Sequence, residues 1–281
     1  MLVATPIGNV GDLSPRAVEA LGSADVVYCE DTRHSGQLFA RLGIRPARLA
    51  SLHEHNEAER VREVLALLAE GQTVALVTDA GTPAISDPGS RLVAAVHEAG
   101  GRVSPVPGPS ACIAAMGVSG LGDGRWRFEG FLPRKGRERR ARLAEVVSAT
   151  VPSVIYEAPS RVEALLSELE TLCDEKRPVV VCRELTKLHE EVWRGPIGGS
   201  SQRWPAQSAR GEFVIVLDGA RLPDRVVPPK AELGEAVQGL VAAGSTRRDA
   251  VAEVALRAGI SRREVYDAVG PRAGSRSAEG L

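Results

Sequence analysis

The stretch T-D-A-G-T-P-A-I-S-D-P, Thr78 to Pro88, follows an apolar run from Thr73 to Val77 and leads into a helix candidate from Gly89 to Ala99. It holds two carboxylates, two prolines, a glycine and three hydroxyls in eleven residues. An apolar strand emptying into a polar Gly/Pro loop is where an α/β protein holds a ligand. The pattern occurs twice more, in L-V-A-T-P-I-G-N-V-G-D-L at residues 2–13 and V-S-P-V-P-G-P-S-A at residues 103–111. Three such loops close together predict one composite pocket.

Working outward, short apolar runs alternate with amphipathic ones. Strands are predicted at Leu2–Thr5, Val26–Cys29, Leu49–Ser51, 73–77 and Arg102–Val106. Helices are predicted at Pro15–Leu21 behind a Ser14 cap, at Ser35–Leu42, at Glu57–Glu70 and at Gly89–Ala99. Alternation of this kind predicts a mostly parallel sheet covered on both faces. The glycine-rich segment 117–124 reads as a linker between a first α/β domain (1–116) and a second (125–220). In the second, strands are expected at Trp126–Phe131, Ser153–Tyr156, Val179–Cys182, Glu191–Arg194 and Glu212–Leu217, with more antiparallel pairing. A second linker is read at 221–230. A small helical domain follows at 231–270, with residues 251–269 resembling a helix-turn-helix pair, and a tail at 271–281.

Composition bounds the function. Of the 281 residues 25% are charged, and the formal net charge of -1 gives no global drive toward nucleic acid, so any such contact needs a local basic patch. Aromatic residues at 4% argue against extended base-stacking surfaces. The four cysteines, Cys29, Cys112, Cys173 and Cys182, show no C-x-x-C spacing. Reduced thiols, a cytoplasmic location and no zinc knuckle are therefore expected. No signal peptide and no membrane span are expected either.

Several ordered motifs carry a resemblance. They include V-A-T-P-I-G-N-V-G-D-L (3–13), E-D-T-R-H (30–34), H-E-H-N-E (53–57), D-A-G-T-P-A-I-S-D-P-G (79–89) and V-P-G-P-S-A (106–111). Further on come F-E-G-F-L-P-R-K (128–135), Y-E-A-P-S-R (156–161), R-E-L-T-K (183–187), E-E-V-W-R-G (190–195) and G-E-F-V-I-V (211–216). Over residues 2–218 the chain resembles the tetrapyrrole methylase superfamily, and within it the bacterial branch that methylates ribose 2'-hydroxyls of small-subunit ribosomal RNA. Gly122-Asp123-Gly124 stands where a proline-bearing turn is usual, and Y-E-A-P-S-R has alanine and serine where serine and histidine are common. The resemblance implies an α/β, two-domain tetrapyrrole methylase-like fold with a cofactor cleft between domains, plus a small helical C-terminal domain. It implies S-adenosylmethionine as cofactor, a homodimer, and a cytidine in the decoding region of 16S ribosomal RNA as acceptor, within the small ribosomal subunit.

On the cofactor side, the candidates are Pro6, Gly8, Asp79, Gly81, Thr82, Ile85, Ser110, Ala111, Tyr156 and Glu212. Glycines permit close backbone approach, prolines pre-set the loops, and the start of a helix after Ser110 offers amides to a polar edge. Asp79 fits either the cationic end of the cofactor or an Asx-type turn, whereas Asp87, beside a proline, reads as structural. Tyr156 and Glu212, at strand ends, fit the pocket or ordinary packing.

On the acceptor side, alignment of oxygen, methyl carbon and sulfur is chiefly a positioning problem. A base or an alkoxide-stabilising cation would help a weak nucleophile. The candidates are Glu30, Arg33, His53 and Lys187. The H-x-H pair at 53–55 lacks a convincingly spaced third ligand, so no metal is expected. The run R-K-G-R-E-R-R-A-R (134–142) is the best phosphate-binding patch. It supplies Arg134, Lys135, Arg137 and Arg139, with Arg183 added from R-E-L-T-K; a solvated helix face is the plainer alternative. Two competing readings are a methyltransferase for a small tetrapyrrole or corrin precursor, and a noncatalytic RNA-binding module.

Overall fold

The computed structural model describes residues 1–221 and 228–270. Most of the 221–230 linker segment and the whole 271–281 tail predicted above lie outside the described residues. The chain divides into two compact units, residues 1–220 and 221–281.

The first unit opens with β1 (Leu2–Val3), α1 (Pro15–Ser23), β2 (Val26–Cys29), α2 (Thr32–Leu42) and β3 (Leu49–Ser51). It continues with α3 (Glu57–Ala69), β4 (Val74–Leu76), α4 (Ser90–Glu98) and β5 (Pro105–Val106). The five strands form one parallel sheet in the order β3-β2-β4-β1-β5. The strands are short and apolar on both faces because helices cover both, so β2 and β4 are buried at every position. The Ser14 side chain accepts from the Ala17 amide and starts α1. Asp31 does the same for α2, accepting from the Arg33 amide. That cap begins the helix at Thr32, three residues before the predicted start, and puts Arg33 and His34 in its first turn.

Next come α5 (Ala111–Ser119), β6 (Arg127–Phe131), α6 (Gly136–Ser148), β7 (Ser153–Glu157) and α7 (Val162–Leu172), then β8 (Pro178–Arg183), β9 (Glu191–Pro196) and β10 (Phe213–Leu217). The second sheet has the order β6-β7-β10-β8-β9, with β6 parallel to β7 and every other pair antiparallel. One face carries Ile155, Val181, Phe213 and Ile215 against Leu143, Leu165 and Leu169. The other carries Val154, Val180, Cys182, Val214 and Val216 against Cys112 and Ala115 of α5. Helix α5 therefore packs on β7 and β10 of the second sheet. It runs to Ser119, into the segment read as a linker.

The second unit holds α8 (Lys230–Ala242), α9 (Arg247–Ala258) and α10 (Arg262–Val269) around Leu233, Val237, Val251, Val254, Ile260 and Val265. Thr246 caps α9, and Ser261 with Glu264 forms a capping box on α10. Gly259, at φ 65°, turns the chain between them.

Candidate functional site

The order β4-β1-β5 makes neighbours of the strands that carry the three predicted loops, so their carboxyl-end loops meet. The Thr5 amide donates to the Gly81 carbonyl at 2.9 Å, and the Gly81 amide returns a bond to Thr5 at 3.1 Å. The Thr5 hydroxyl donates to the Thr78 carbonyl at 3.0 Å, and the Thr82 hydroxyl to the Pro109 carbonyl at 3.1 Å. Two non-glycine residues of the central loop, Ala84 and Ser86, take left-handed backbone at φ 67° and 65°. Such strain persists where surrounding contacts fix it, and it concentrates at ligand sites. Gly130, at a register shift in β6, lets the second sheet come up against Ser86; a Cβ there would lie 2.9 Å from the Ser86 hydroxyl.

Between the loops and the second sheet lies a cavity of about 380 Å³. The first half lines it with Ile7, residues 79–82, Ile85, Ser86, Asp87, Ser110 and Ala111, and the second half with Phe131, residues 156–159 and residues 212–214. Four lining residues are carboxylic acids (Asp79, Asp87, Glu157 and Glu212), and no lysine, arginine or histidine is among the lining residues. Glu157 is 2% exposed. Its Oε1 pairs with Arg161 and accepts from the Ala158 amide, while Oε2 has no partner within the protein. The Glu157 side chain is fully buried, so this oxygen does not open into the cavity. Burial pushes the Asp87 carboxyl up to about 6, Glu30 and Asp79 add to the push, and the Thr78 hydroxyl opposes it. Burial, then Asp79, also raises Glu30. An electronegative, half-enclosed cavity of this size suits a small organic cation.

The amide of Asp31 approaches Asp79 Oδ1 at 3.4 Å, so the 30–34 segment abuts the cavity loop. Glu30 and His53 follow β2 and β3, on the same sheet edge as the three loops. His53 holds a buried Nδ1 with no partner, and its ring lies 6.0 Å from that of His55. Across the cleft, Lys187 Nζ bonds Glu184 at 2.9 Å and the cavity residue Glu212 at 3.1 Å. Partial burial pulls its pKa down, but these two carboxylates outweigh that and leave it raised. Lys187 is therefore a fixed cation and no base. Arg33 is 87% exposed and pairs with Asp31 at 2.7 Å. The Arg33 guanidinium holds the Asp31 carboxyl well below the usual range.

Residues 1–201 match the family model for tetrapyrrole (corrin/porphyrin) methylases. The chain belongs to this family. The methylase is 44% identical over 265 residues to the ribosomal RNA small subunit methyltransferase I of Synechocystis, covering 94% of this chain and 95% of that one. It is 45% identical over 274 residues to the protein of the same name from Mycobacterium tuberculosis, covering 96% and 93%. Among solved structures it shares the fold of uroporphyrin-III C-methyltransferase from Thermus thermophilus, complexed with S-adenosylhomocysteine. That likeness has a TM-score of 0.52 at 20% identity and covers 77% of this chain and 95% of the other.

Of the ten cofactor candidates, Asp79, Gly81, Thr82, Ile85, Ser110, Ala111, Tyr156 and Glu212 line the cavity of the methylase. Pro6 and Gly8 do not. Pro6 is buried in the loop, and Gly8 packs against residues 185–187, where a Cβ would sit 2.4 Å from Lys187 Cγ. Asp87, read as structural from its proline neighbour, lines the cavity; its nearness to Glu30 and Asp79 arises only in three dimensions. Arg139 does not belong to an exposed basic patch. It is 7% exposed, its guanidinium grips Glu168 at 2.5–3.2 Å and donates to the Pro133 carbonyl at 2.9 Å. Arg134, Lys135 and Arg137 are exposed at the start of α6. Arg183 is half-buried at the end of β8, its Nε donating to the Arg210 carbonyl at 2.7 Å. Phe131, Glu157, Ala158, Pro159 and Phe213 were missed from the sequence. The Glu within Y-E-A-P-S-R was the available signal, being an acid at the end of a strand otherwise buried.

Proposed function

We propose that this chain transfers a methyl group from S-adenosylmethionine to the ribose 2'-hydroxyl of a cytidine in the decoding region of 16S ribosomal RNA. It does so on the small ribosomal subunit, as a homodimer, in the cytoplasm. The observation that carries the reading is the cavity itself: its lining holds Asp79, Asp87 and Glu212 and no lysine, arginine or histidine, in a chain that follows RNA methyltransferases over nearly its whole length.

The residues present fit the cofactor. When bound, it supplies an activated methyl group on a cationic sulfur. Asp79, Asp87 and Glu212 favour its positive charges, and Gly81, Thr82, Ile85, Ser110, Ala111 and Tyr156 enclose its uncharged parts. On the acceptor side, Glu30 takes the proton of the 2'-hydroxyl; burial beside Asp79 raises its affinity for that proton. His53, next along the sheet edge, lies on the acceptor side beside Glu30. Lys187 stabilises charge developing on the oxygen, and Arg33, Arg134, Lys135 and Arg137 hold phosphates. The test is methyl transfer from radiolabelled S-adenosylmethionine to small subunits purified from cells lacking the modification, with the product mapped by nucleotide. One methylated cytidine ribose is expected. Cofactor binding without transfer to any RNA would overturn the acceptor assignment and favour a corrin or porphyrin precursor.

A further inference from the structure

A second polar cavity lies one strand beyond the first. It has a volume of about 420 Å³ and is lined by Arg183, Glu191, Arg203, Trp204, Ser208 and Ala209. The strand registers fix its place. Glu157 pairs with Phe213, Phe213 with Arg183, and Arg183 with Glu191, so one row runs from the strand ends at the rim of the first cavity to the second, which lies on the other face of the sheet with Phe213, Trp204 and Ala209. Neighbouring strands are about 4.8 Å apart, which puts the Arg183 backbone about 10 Å from that of Glu157.

Both arginines are ordered in advance. The Arg203 guanidinium lies 5.6 Å from the ring centres of both Trp193 and Trp204, and those rings pack edge-to-face at 5.5 Å. This cation–π contact fixes a side chain that is still 51% exposed. The Arg183 guanidinium is tethered by its Nε to the Arg210 carbonyl. Two guanidinium groups then share one carboxylate: Glu191 stands 3.8 Å from Arg183 Nη1 and 3.5 Å from Arg203 Nη2. Those separations are at or beyond hydrogen-bond range, so the cavity keeps a net positive charge and unused donors.

We infer that this cavity holds an RNA phosphodiester flanking the nucleotide whose ribose is methylated, gripped between Arg183 and Arg203. The inference rests on the reading of the first cavity as the methyl-transfer site. A phosphodiester offers two acceptor oxygens to two fixed forks, and pre-ordering removes most of the entropy cost of the contact. Glu191 occupies the phosphate's place in the free protein and sets the strength of the grip.

The test compares wild type with Arg203→Gln, Arg203→Lys and Glu191→Gln. It reads KM and kcat on small subunits, and the salt dependence of binding to a fluorescent single-stranded RNA carrying the target sequence. Arg203→Gln is expected to raise KM about tenfold at unchanged kcat and cofactor affinity, and to lower the log–log salt slope by about 0.7. Arg203→Lys restores part of the affinity. Glu191→Gln, which removes no cation, tightens RNA binding several-fold, and it carries the test should Arg203→Gln fail to fold. Unchanged KM and salt slope in both glutamine variants, with normal methylation by wild type, would overturn the subsite and leave the reaction standing. RNA binding that responds as expected, with no methyl transfer by wild type, would overturn the reaction and leave the subsite standing. Absence of RNA binding by wild type would remove both.

Discussion

Replacing Asp87 by Asn tests whether the first cavity works by charge. S-adenosylmethionine bears one more positive charge than its product, S-adenosylhomocysteine, so a wall of carboxylates separates the two. A cavity of about 380 Å³ has a radius of about 4.5 Å if taken as a sphere, placing a cation at its centre roughly 7 Å from a lining carboxylate. At an effective dielectric constant of about 20 that interaction is worth about 2 kcal/mol, or about 30-fold in affinity. Asp87→Asn is expected to weaken the methyl donor by up to that factor and the product little. The pH profile supplies an independent check. Asp87 is raised to about 6, and Glu30, Asp79, Glu157 and Glu212 are the other acids around it. With a pKa of about 6, its ionised fraction climbs from about 9% at pH 5 to about 97% at pH 7.5. If the donor requires the ionised form, its affinity relative to the product rises about tenfold over that interval. Donor binding lowers this pKa and releases a proton below pH 6. In the free protein the sign is opposite. A carboxyl raised above its unfolded value stabilises the fold when protonated, and that contribution is lost as pH rises from about 4 through about 6. Calorimetric titration of both ligands at pH 5, 6 and 7.5 measures the ratio directly. A ratio that ignores pH in wild type, or is unchanged by Asp87→Asn, refutes the charge argument.

Arg139→Met strands Glu168 and the Pro133 carbonyl, and denaturant unfolding should show a loss of about 2–3 kcal/mol with RNA affinity unaltered. Arg137→Ala, two residues before Arg139 and exposed, should leave stability within about 0.5 kcal/mol and reduce the salt slope of RNA binding. Gly8→Ala drives a methyl group against Lys187 and Thr186, so turnover should fall about tenfold or more while thermal stability changes modestly; an unaffected rate would show that residues 185–187 need not be held in place. Tyr156→Phe removes the acceptor of the Cys112 amide. It should cost about 1–2 kcal/mol and speed hydrogen exchange at that amide, which an unchanged exchange rate would contradict.

What could be read in the sequence was local. The apolar runs Val26–Cys29 and Leu49–Ser51 formed strands with the predicted ends, since each is bounded by polar loop residues. The three loops were legible because Gly, Pro and hydroxyl residues cluster after the apolar runs that became β1, β4 and β5. Pairings across more than 50 residues were not legible. Phe131, Glu157 and Phe213 reach the cavity only because β6, β7 and β10 are adjacent in a mixed sheet, an order no single strand announces. Arg139 could have been read correctly. It stands four residues before Leu143 and seven before Val146, the two buried apolar residues of α6, and so shares their helix face. Treating residues 134–142 as one patch ignored the 100° turn between successive helical positions.

The Tyr156 contact also explains why the cavity joins two halves of the first unit instead of lying within one sheet. Ser110 occupies the N-cap position of α5 but makes no capping bond; its hydroxyl lies 3.2 Å from the Cys112 thiol. The cap comes from the second sheet, where the Tyr156 hydroxyl accepts from the Cys112 amide at 2.9 Å. Burial, then the Cys112 thiol, raises the phenol's pKa, so it stays protonated. The ring is held edge-on by Phe128 at 5.0 Å and Phe131 at 5.6 Å. One side chain thus closes the helix that presents Ser110 and Ala111 and forms the opposite wall itself. Any movement that separates the sheets must break this cap and open the cavity together. A ligand that touches both walls therefore stabilises α5, and cofactor binding should slow hydrogen exchange at the Cys112 amide even though that amide already has a partner in the protein. Exchange there that is indifferent to cofactor, in a variant-free enzyme at saturating ligand, would mean that the two walls open independently.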